Sequence, residues 1–345
     1  MLYGLDDVVL IPNVVSNIEH RGDCNVYDNE NMLPLFTAPM ASVINDHNWE
    51  AYRKNKIYTI IPRTIGYDKR LRLCSETFVA FGLQDLEDFI KEQTVKDKVY
   101  ICLDIANGHM QKAIDLCKKA KEIFGDNLVL MAGNIANPET YAEYARVGVD
   151  YVRFSVGSGS CCTTSANSGT HVPMASLILS AVEKKKDITY YLDSNPDTFR
   201  DIYKSVPKII ADGGFTNFDQ IIKALALGAD YVMLGQIFAK SEESLIGDNV
   251  SKKTYIHKKV IEREHFGMST KKAQLIMGKA KEDLRTSEGV SKMVKVEYPL
   301  AKWCDNFKHY LQEAMSLLNC DTLFKFIDNG SWDYITPSAF QSYYK

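Results

Sequence analysis

The sequence predicts an α/β protein that folds as a (β/α)8 barrel. Along its 345 residues, short β-rich runs alternate with amphipathic stretches, which is typical of βα units around a parallel sheet. Eight such runs can be identified, and eight units favour a closed barrel over an open, doubly wound sheet. The Gly-x-Gly-x-x-Gly fingerprint of the open sheet is missing from the sequence. The candidate strands are 33–39, 57–62, 77–81, 99–105, 128–133, 151–156, 208–212 and 231–234.

Three of the stretches between the strands are predicted as helices. Each has an apolar period that suits a helix and is followed by a glycine at which a helix can end. They are 110–124 before Gly125, 138–147 before Gly148 and 218–227 before Gly228. A further helix is predicted at 305–318, within a C-terminal extension that ends in an aromatic tail.

The segment 175–205 is longer than one helix needs. It contains three consecutive lysines at 184–186, a β-like run at 189–192 and the turn signal Ser-Asn-Pro at 194–196. We therefore expect an extra hairpin or a second helix before the seventh strand. The lysine run is predicted to be a solvated helix end.

A polar stretch, 240–295, follows the eighth strand and has few strong apolar periods. It is too long for a passive connection in a compact domain, so we predict a mobile flap over the active site. With this flap, residues 1–345 are predicted to form one barrel domain with catalytic function.

Composition and charge exclude several classes of function. Apolar residues make up 46% and charged residues 25% of the chain, and the net charge is −3. These values are ordinary for a globular protein and give no reason to expect nucleic acid or an anionic membrane as a partner. There is no apolar run of membrane-spanning length and no signal-peptide pattern at the N-terminus. The eight cysteines include no Cys-x-x-Cys pair, so reduced thiols and a cytoplasmic location are expected.

The strongest indication of chemistry is a glycine-rich turn, 157–164, that contains the adjacent Cys161 and Cys162. It follows the candidate strand 151–156 directly. A thiol on a glycine loop at a strand end can attack an electrophilic carbon, and the free N–H groups of such a loop can hold a phosphate. The alternative is two small, buried, inert residues, but two neighbouring side chains in such a loop cannot both lie in a core.

Two further glycine loops follow the seventh and eighth strands, Asp212-Gly213-Gly214 and Gly235-Gln236. Barrel enzymes often bind phosphate at these two positions, and a carboxylate such as Asp212 can accept hydrogen bonds from ribose hydroxyls. Ordinary βα turns are the alternative. Within the polar stretch, the segment 285–289 reads Arg-Thr-Ser-Glu-Gly. It is a surface loop by default, but its carboxylate at Glu288 could supply acid or base chemistry.

These motifs together resemble the IMP dehydrogenase and GMP reductase family. The Gly-Ser-x-Cys-Thr-Thr loop of the family's reductases matches residues 159–164 and places the nucleophile at Cys162. The resemblance extends from Leu-Asp-Asp-Val at 5–8 and Ala-Pro-Met at 38–40 to the region of Pro299.

Other residues separate the family's two activities. Only a short connection joins Arg63 to the third strand, where dehydrogenases usually carry regulatory modules, and the polar stretch has no Arg-Tyr pair to activate water. The segments 104–108, 266–269 and 285–289 resemble the reductases. The resemblance therefore implies NADPH-dependent reductive deamination of GMP to IMP and ammonia, through a covalent thioimidate on Cys162. The alternatives are NAD-dependent oxidation of IMP to XMP, and a catalytically silent purine-nucleotide-binding barrel.

The resemblance also implies roles for individual residues. Catalysis is expected from Cys162, Thr164 and Glu288. The phosphate is expected at Ser160, Gly213, Gly214, Gly235 and Gln236, the ribose at Asp212, and the base at Met268, Ser269, Arg285 and Gly289. The nicotinamide cofactor is expected at Arg63, Asp104 and Asn107. A monovalent cation such as potassium is expected at the backbone carbonyls of Gly157, Gly159 and Cys162, and the assembly is expected to be a homotetramer.

Two positions depart from the reductase pattern. Ser165 stands where the reductases usually have a basic residue, and Val290 stands where they commonly have lysine. These departures leave the choice between NADPH and NADH open.

Overall fold

The structure is a computed structural model that describes residues 1–92, 97–159, 161–247, 255–257, 260–284, 286–287 and 289–343. In this part of the chain the strands are β1 (Val8–Leu10), β2 (Leu35–Thr37), β3 (Ile60–Ile61), β4 (Phe78–Phe81), β5 (Val99–Asp104), β6 (Leu128–Ile135), β7 (Tyr151–Phe154), β8 (Lys208–Asp212), β9 (Tyr231–Leu234), β10 (Tyr255–His257), β11 (Val260–Phe266), β12 (Ser291–Lys295) and β13 (Trp332–Tyr334). The helices are α1 (Trp49–Lys54), α2 (Tyr67–Leu73), α3 (Leu83–Glu92), α4 (Gln111–Phe124), α5 (Pro138–Arg146), α6 (Thr164–Ser168), α7 (Met174–Ser194), α8 (Pro196–Phe199), α9 (Phe218–Ala226), α10 (Gln236–Ala239), α11 (Lys271–Ile276), α12 (Leu300–Leu317), α13 (Leu323–Asn329) and α14 (Pro337–Tyr343).

Strands β2 to β9 form one parallel sheet in the order β2-β9-β8-β7-β6-β5-β4-β3. A parallel bridge between Phe36 and Tyr58 brings the two ends of this sheet together. The amide of Thr37 donates to Tyr58 O at 2.9 Å, and the amide of Tyr58 donates to Leu35 O at 3.0 Å. The predicted (β/α)8 barrel is therefore confirmed, and each strand of this sheet lies at one of the eight predicted runs.

The side chains that point into the barrel form layers. On β4, Phe78 and Ala80 face the interior, whereas Val79 and Phe81 pack against the surrounding helices. Strands that are buried on both faces read as continuous apolar runs, which is why the sequence revealed them. Phe36 fills the centre of the lower part, with ring centroids 4.8 Å from Tyr58 and 5.3 Å from Tyr231. This end of the barrel is a packed core, so a ligand site is expected at the opposite end.

The three helices predicted between strands are confirmed as α4, α5 and α9. Each is followed by a glycine with a positive φ, which is +51° at Gly125, +84° at Gly148 and +105° at Gly228. Glycine adopts this conformation without the penalty that a side chain brings. The helix predicted at 305–318 begins earlier, directly after Pro299, as α12.

Two expectations for the segment before β8 need correction. Residues 189–192 are not a strand but belong to α7, which is followed by the short helix α8. The second helix is therefore correct and the hairpin is wrong. The lysine run is not a solvated helix end but lies inside α7, where Lys184 pairs with Glu139 at 2.8 Å and Lys185 with Asp230 at 2.7 Å. These ion pairs and the buried Ile188 keep α7 against the barrel.

The stretch after β9 contains the antiparallel sheet β10-β11-β12. At the end of β11, the buried Phe266 packs with Ala273 and Ala41. Near the termini, β1 pairs with β13, and α13 packs on α9. No helix of the described residues is long and apolar enough to cross a membrane. The eight cysteines, all in the described part, form no disulfide.

The contact between α13 and α9 gives a stability prediction. Alanine at Gly330 would place its Cβ against the carbonyl oxygen of Ala226 and 2.8 Å from the Cα of that residue. Since the φ of −55° suits alanine, the effect is steric, and we expect Gly330→Ala to lower the free energy of unfolding by about 1–3 kcal/mol. Gly22→Ala is the matched control, because nothing lies within 4 Å of its added Cβ. Urea denaturation measures both, and equal midpoints would contradict the packing.

Candidate active site

A cavity of about 750 Å³ opens at the carboxyl ends of the barrel strands. This is the end at which barrel enzymes carry their sites. The loops after β2, β3, β5, β6, β7, β8 and β9 line it, and His265 and residues 267–269 of the later segment form part of its wall. Its size falls within the range of about 300–1,000 Å³ that is usual for small-molecule sites.

The two adjacent cysteines occupy different environments. Cys162 is half-buried and lines the cavity, and its Sγ donates to the Thr164 hydroxyl at 3.2 Å. Cys161 is buried, and its Sγ lies 3.9 Å from the carbonyl oxygen of His265. The expectation that both thiols cannot lie in a core is confirmed, and Cys162 is the more accessible of the two.

The cysteine loop is tied to a segment far away in the sequence. Cys162 forms an antiparallel bridge with Gly289, and the amide of Val290 donates to Cys161 O at 2.9 Å. Within the loop, the amide of Cys162 donates to Gly159 O at 2.8 Å. Backbone hydrogen bonds on both sides therefore fix the position of the thiol.

The glycine loop after β8 lies directly against the cysteine loop. Gly213 and Gly214 have φ values of +92° and +87°. A Cβ at Gly213 would lie 3.1 Å from the amide nitrogen of Gly159, and one at Gly214 would lie 3.1 Å from Ser158 O. Both the backbone conformation and the close approach therefore require glycine.

A buried ion cluster forms the floor of the cavity. Arg153, on β7, donates to Asp104 Oδ1 and to Asp212 Oδ2, each at 2.8 Å. Asn134 donates to the same Asp212 oxygen at 2.9 Å. The Nε atom of Arg63 lies 3.5 Å from Asp104 Oδ2. Two guanidinium groups thus face two carboxylates.

The pKa of Asp104 reflects this cluster. Burial alone would raise the pKa, but the attraction of Arg153 and Arg63 outweighs it and holds the pKa below its ordinary value of 3.8. The carboxylate is therefore ionised at neutral pH, and Arg153 keeps its charge between two anions.

Most of the residues predicted for the site line this one cavity. These are Arg63, Asp104, Asn107, Gly157, Gly159, Cys162, Thr164, Asp212, Gly213, Gly214, Gly235, Gln236, Met268 and Ser269. Gly289 is placed beside them by its bridge to Cys162. Ser160, Arg285 and Glu288 lie outside the residues that the structure describes.

Sequence reasoning missed several residues of the cavity wall, and the polar contacts of three of them shape the site. Arg153 and Asn134 hold Asp212, as described above. His265 shares a hydrogen bond of 2.8 Å with Ser42 through Nδ1. Burial and the nearby charges of Lys292 and Arg263 lower the pKa of this histidine to about 3, so its imidazole is neutral.

A signal for Arg153 was present in the sequence. It is a charged residue in an otherwise apolar strand. Because it stands two residues after Tyr151, its side chain is expected to point to the same face of the sheet as that of Tyr151. Asn134 likewise follows directly on a candidate strand. His265 gave no comparable local signal. Among the described residues, His, Cys, Asp and Glu side chains form no group of three that could hold a metal ion.

Residues 67–342 match the family model described as the IMP dehydrogenase / GMP reductase domain. The chain belongs to this family. The resemblance inferred from the motifs is thereby confirmed, and most of the barrel lies inside the matched region.

Both GMP reductases and inosine-5′-monophosphate dehydrogenases are similar to this chain. The GMP reductase of Onchocerca volvulus is 26% identical over 325 residues, which cover 90% of this chain and 82% of the relative. That of Buchnera aphidicola subsp. Schizaphis graminum is 30% identical over 278 residues, covering 77% and 72%. The inosine-5′-monophosphate dehydrogenase of Chlorobaculum tepidum is 34% identical over 144 residues, covering 42% and 26%.

The ion cluster predicts a large effect on stability. Arg153→Met leaves Asp104 and Asp212 buried without their shared cation, and we expect it to lower the free energy of unfolding by about 3–5 kcal/mol at pH 7. Arg146→Met is the matched control. Arg146 pairs with Glu143 on the surface, where the two side chains are 41% and 46% exposed, and such a pair contributes about 1 kcal/mol or less. Urea unfolding measures both changes.

The cost of Arg153→Met should also depend on pH. In the wild type, the lowered pKa of Asp104 makes its carboxylate stabilising above pH 3.8, and this contribution is lost only as the pH falls through the lowered value. In the variant, burial dominates and raises that pKa, so protonation relieves the buried charge as the pH falls. The difference in unfolding free energy should shrink as the pH falls from 7 through the raised pKa of Asp104 in the variant. A constant difference would contradict this electrostatic account.

Proposed function

We propose that the protein is a GMP reductase, which converts GMP to IMP and ammonia with NADPH through a covalent thioimidate on Cys162. The position of the Cys162 thiol carries the proposal. It lies in the cavity at the carboxyl end of the barrel, 3.2 Å from the Thr164 hydroxyl. It belongs to the glycine loop after β7, against which the glycine loop after β8 packs.

The nucleotide would lie across the glycine loops. Ser160, Gly213, Gly214, Gly235 and Gln236 would hold the phosphate, because the backbone can approach an anion closely at these glycines. The ribose would lie at Asp212. Both Arg153 and Asn134 donate to Asp212 Oδ2, and no described residue donates to Oδ1. That oxygen can therefore accept hydrogen bonds from ribose hydroxyls.

The base would then lie over the thiol. Met268, Ser269, Arg285 and Gly289 would surround it, and the bridge between Gly289 and Cys162 brings this wall to the nucleophile. The sulfur adds to C2 of guanine, and the 2-amino group takes up a proton and leaves as ammonia. Thr164 and Glu288 would supply and accept protons in this exchange.

The residues present fit a nicotinamide cofactor on the far side of the thiol. Asn107 lies at the rim of the cavity, where its Oδ1 accepts from the amide of His109 at 3.1 Å. Its NH2 group remains to donate to a carboxamide, and Asp104 and Arg63 form the adjoining wall. When bound, the reduced nicotinamide would supply the hydride that adds to C2. The C2–S bond to Cys162 then breaks, so the thiolate leaves and takes up a proton, and IMP is released. NADPH is proposed, with NADH possible because of Ser165 and Val290.

Three further features belong to the proposal: a cation and a tetramer, which the resemblance implies, and a flap, which the long polar stretch predicts. A potassium ion would bind the carbonyls of Gly157, Gly159 and Cys162. The first two oxygens each accept one hydrogen bond, from Ser165 at 3.2 Å and Cys162 at 2.8 Å, and a carbonyl oxygen has two lone pairs. Residues 240–295 would act as a flap of a single catalytic domain, and four copies would assemble.

The reductase is favoured over the dehydrogenase by the extent of the similarity. The two relatives named GMP reductase that are described above align with 90% and 77% of the chain, whereas the dehydrogenase aligns with 42%. The reductase-like segments at 266–269 and 285–289 point the same way.

The direct test mixes the purified protein with GMP and NADPH and follows nicotinamide absorbance together with ammonia. We expect one ammonia for each NADPH oxidised. If this mixture does not react but a second mixture, of the protein with IMP and NAD⁺, forms NADH, the protein is a dehydrogenase. Binding of GMP in calorimetry without turnover of any purine nucleotide would show a silent barrel.

The two cysteines provide a matched pair of variants. Cys162→Ala should lower kcat for GMP reduction by on the order of 10³-fold or more, because the covalent route is lost. Cys161→Ala should retain most of the turnover, since its sulfur lies against the backbone of His265. Steady-state kinetics on both proteins measures the difference. Equal losses would refute the assignment of the nucleophile.

A further inference from the structure

One lysine reaches from the sheet β10-β11-β12 to the rim of the barrel. Lys292 lies on β12, and its Nζ donates to Gln236 Oε1 at 2.7 Å. Gln236 follows Gly235 at the carboxyl end of β9, and both line the cavity. Across the sheet, Lys292 pairs with His265, a residue of the cavity wall. The ammonium group is thus held beside the loop proposed for the phosphate.

Lys292 differs from Arg153 and Arg63, the other cations discussed at the cavity, in the kind of partner that its charge has. Arg153 lies between two carboxylates, and Arg63 pairs with Asp104. In the part of the chain that the structure describes, the partner of Lys292 is a neutral amide and no carboxylate pairs with it. Its charge reaches the cavity wall, because it contributes, after burial, to the lowered pKa of His265.

The hydrogen bond between Lys292 and Gln236 also determines which N–H groups of the two side chains can still donate to a ligand. An ammonium group has three N–H donors and no acceptor, and Gln236 takes one of them. Because lysine can only donate, the Gln236 side chain must turn its oxygen toward Lys292, which leaves its NH2 group free to donate elsewhere. Two donor groups, one of them charged, therefore lie side by side. This arrangement suits an anionic group with several acceptor oxygens.

We infer that Lys292 binds the phosphate of a purine nucleoside monophosphate, together with Gln236. The inference rests on the proposed function, since it assumes that a nucleotide places its phosphate at Gly214, Gly235 and Gln236. It adds a charged contact to a site otherwise built from backbone N–H groups and one amide. It also gives β12 a direct part in holding the nucleotide.

The test compares a nucleotide with its nucleoside. IMP and inosine are titrated by calorimetry into the wild type, Lys292→Gln and the control Lys295→Gln. Lys295 lies on the same strand, is exposed and points to the other face, so its variant loses the same charge away from Gln236. Lys292→Gln should weaken IMP binding about ten-fold or more, the loss expected for a hydrogen bond to a charged group. Inosine binding should stay within about two-fold of wild type, and Lys295→Gln should change neither.

Restoring the charge provides a second readout. Lys292→Arg keeps a cation that can bond to Gln236 and a phosphate, so it should recover most of the lost IMP affinity. Equal losses for IMP and inosine in Lys292→Gln would overturn the inference, because they would mean that Lys292 only supports the shape of the cavity. Unchanged IMP affinity would overturn it as well.

Failure of the proposed function gives a different result. In that case the wild type does not convert GMP to IMP. If it still binds IMP, the comparison of IMP with inosine still tests Lys292. If it binds neither GMP nor IMP, the inference about Lys292 falls with the proposed function. If the wild type binds IMP and Lys292→Gln binds it equally well, only the inference about Lys292 fails.

Discussion

Arg153 brings a guanidinium group into the top layer of the barrel interior, where it is 4% exposed and bonded to Asp104 and Asp212. Arg153 lies on β7, and its two carboxylate partners lie on β5 and β8, so one cation joins three strands at the mouth of the barrel. A buried charge without partners would be costly, and here each carboxylate meets a guanidinium. These bonds hold the side chains of the cavity floor in place, and the attraction of the two guanidinium groups keeps the pKa of Asp104 below its ordinary value. That floor is the surface on which the proposed ribose and cofactor contacts depend.

Above this floor, close packing of the backbone sets the position of the reactive sulfur. The glycine loop after β8 touches the cysteine loop at Gly159 and Ser158, and the bridge to Gly289 holds the loop from the other side. Cys162 is thus fixed between the barrel and the segment that follows β9. A nucleophile held in this way loses little freedom when it reacts, which is a large part of the advantage of a bound reactant.

Much of the fold could be predicted because its signals are local. Strands buried on both faces are continuous apolar runs, and glycines mark the ends of α4, α5 and α9. The run 189–192 misled the prediction because threonine and tyrosine favour strands. Its helical state depends on Ile188 and Lys185, whose contacts with the barrel are distant in sequence.

In the site, too, features with a local sequence signal could be predicted and contacts between distant residues could not. The cysteine and glycine loops were found because each is a short motif at a strand end. Arg153 meets its carboxylates 49 and 59 positions away, and Lys292 meets Gln236 56 positions away. Such contacts are set by the closure of the barrel and by the register of β12 with β11. A single sequence contains no local pattern for them.

The central claim is that the Cys162 sulfur forms a covalent bond to the purine. The most direct measurement is mass spectrometry of peptides from the Cys161→Ala protein, quenched in acid during turnover with GMP and NADPH. In that protein the peptide carries one cysteine, so a modified sulfur is located without ambiguity. This peptide is expected to gain the mass of GMP less ammonia. Turnover without any adduct on Cys162 would contradict it.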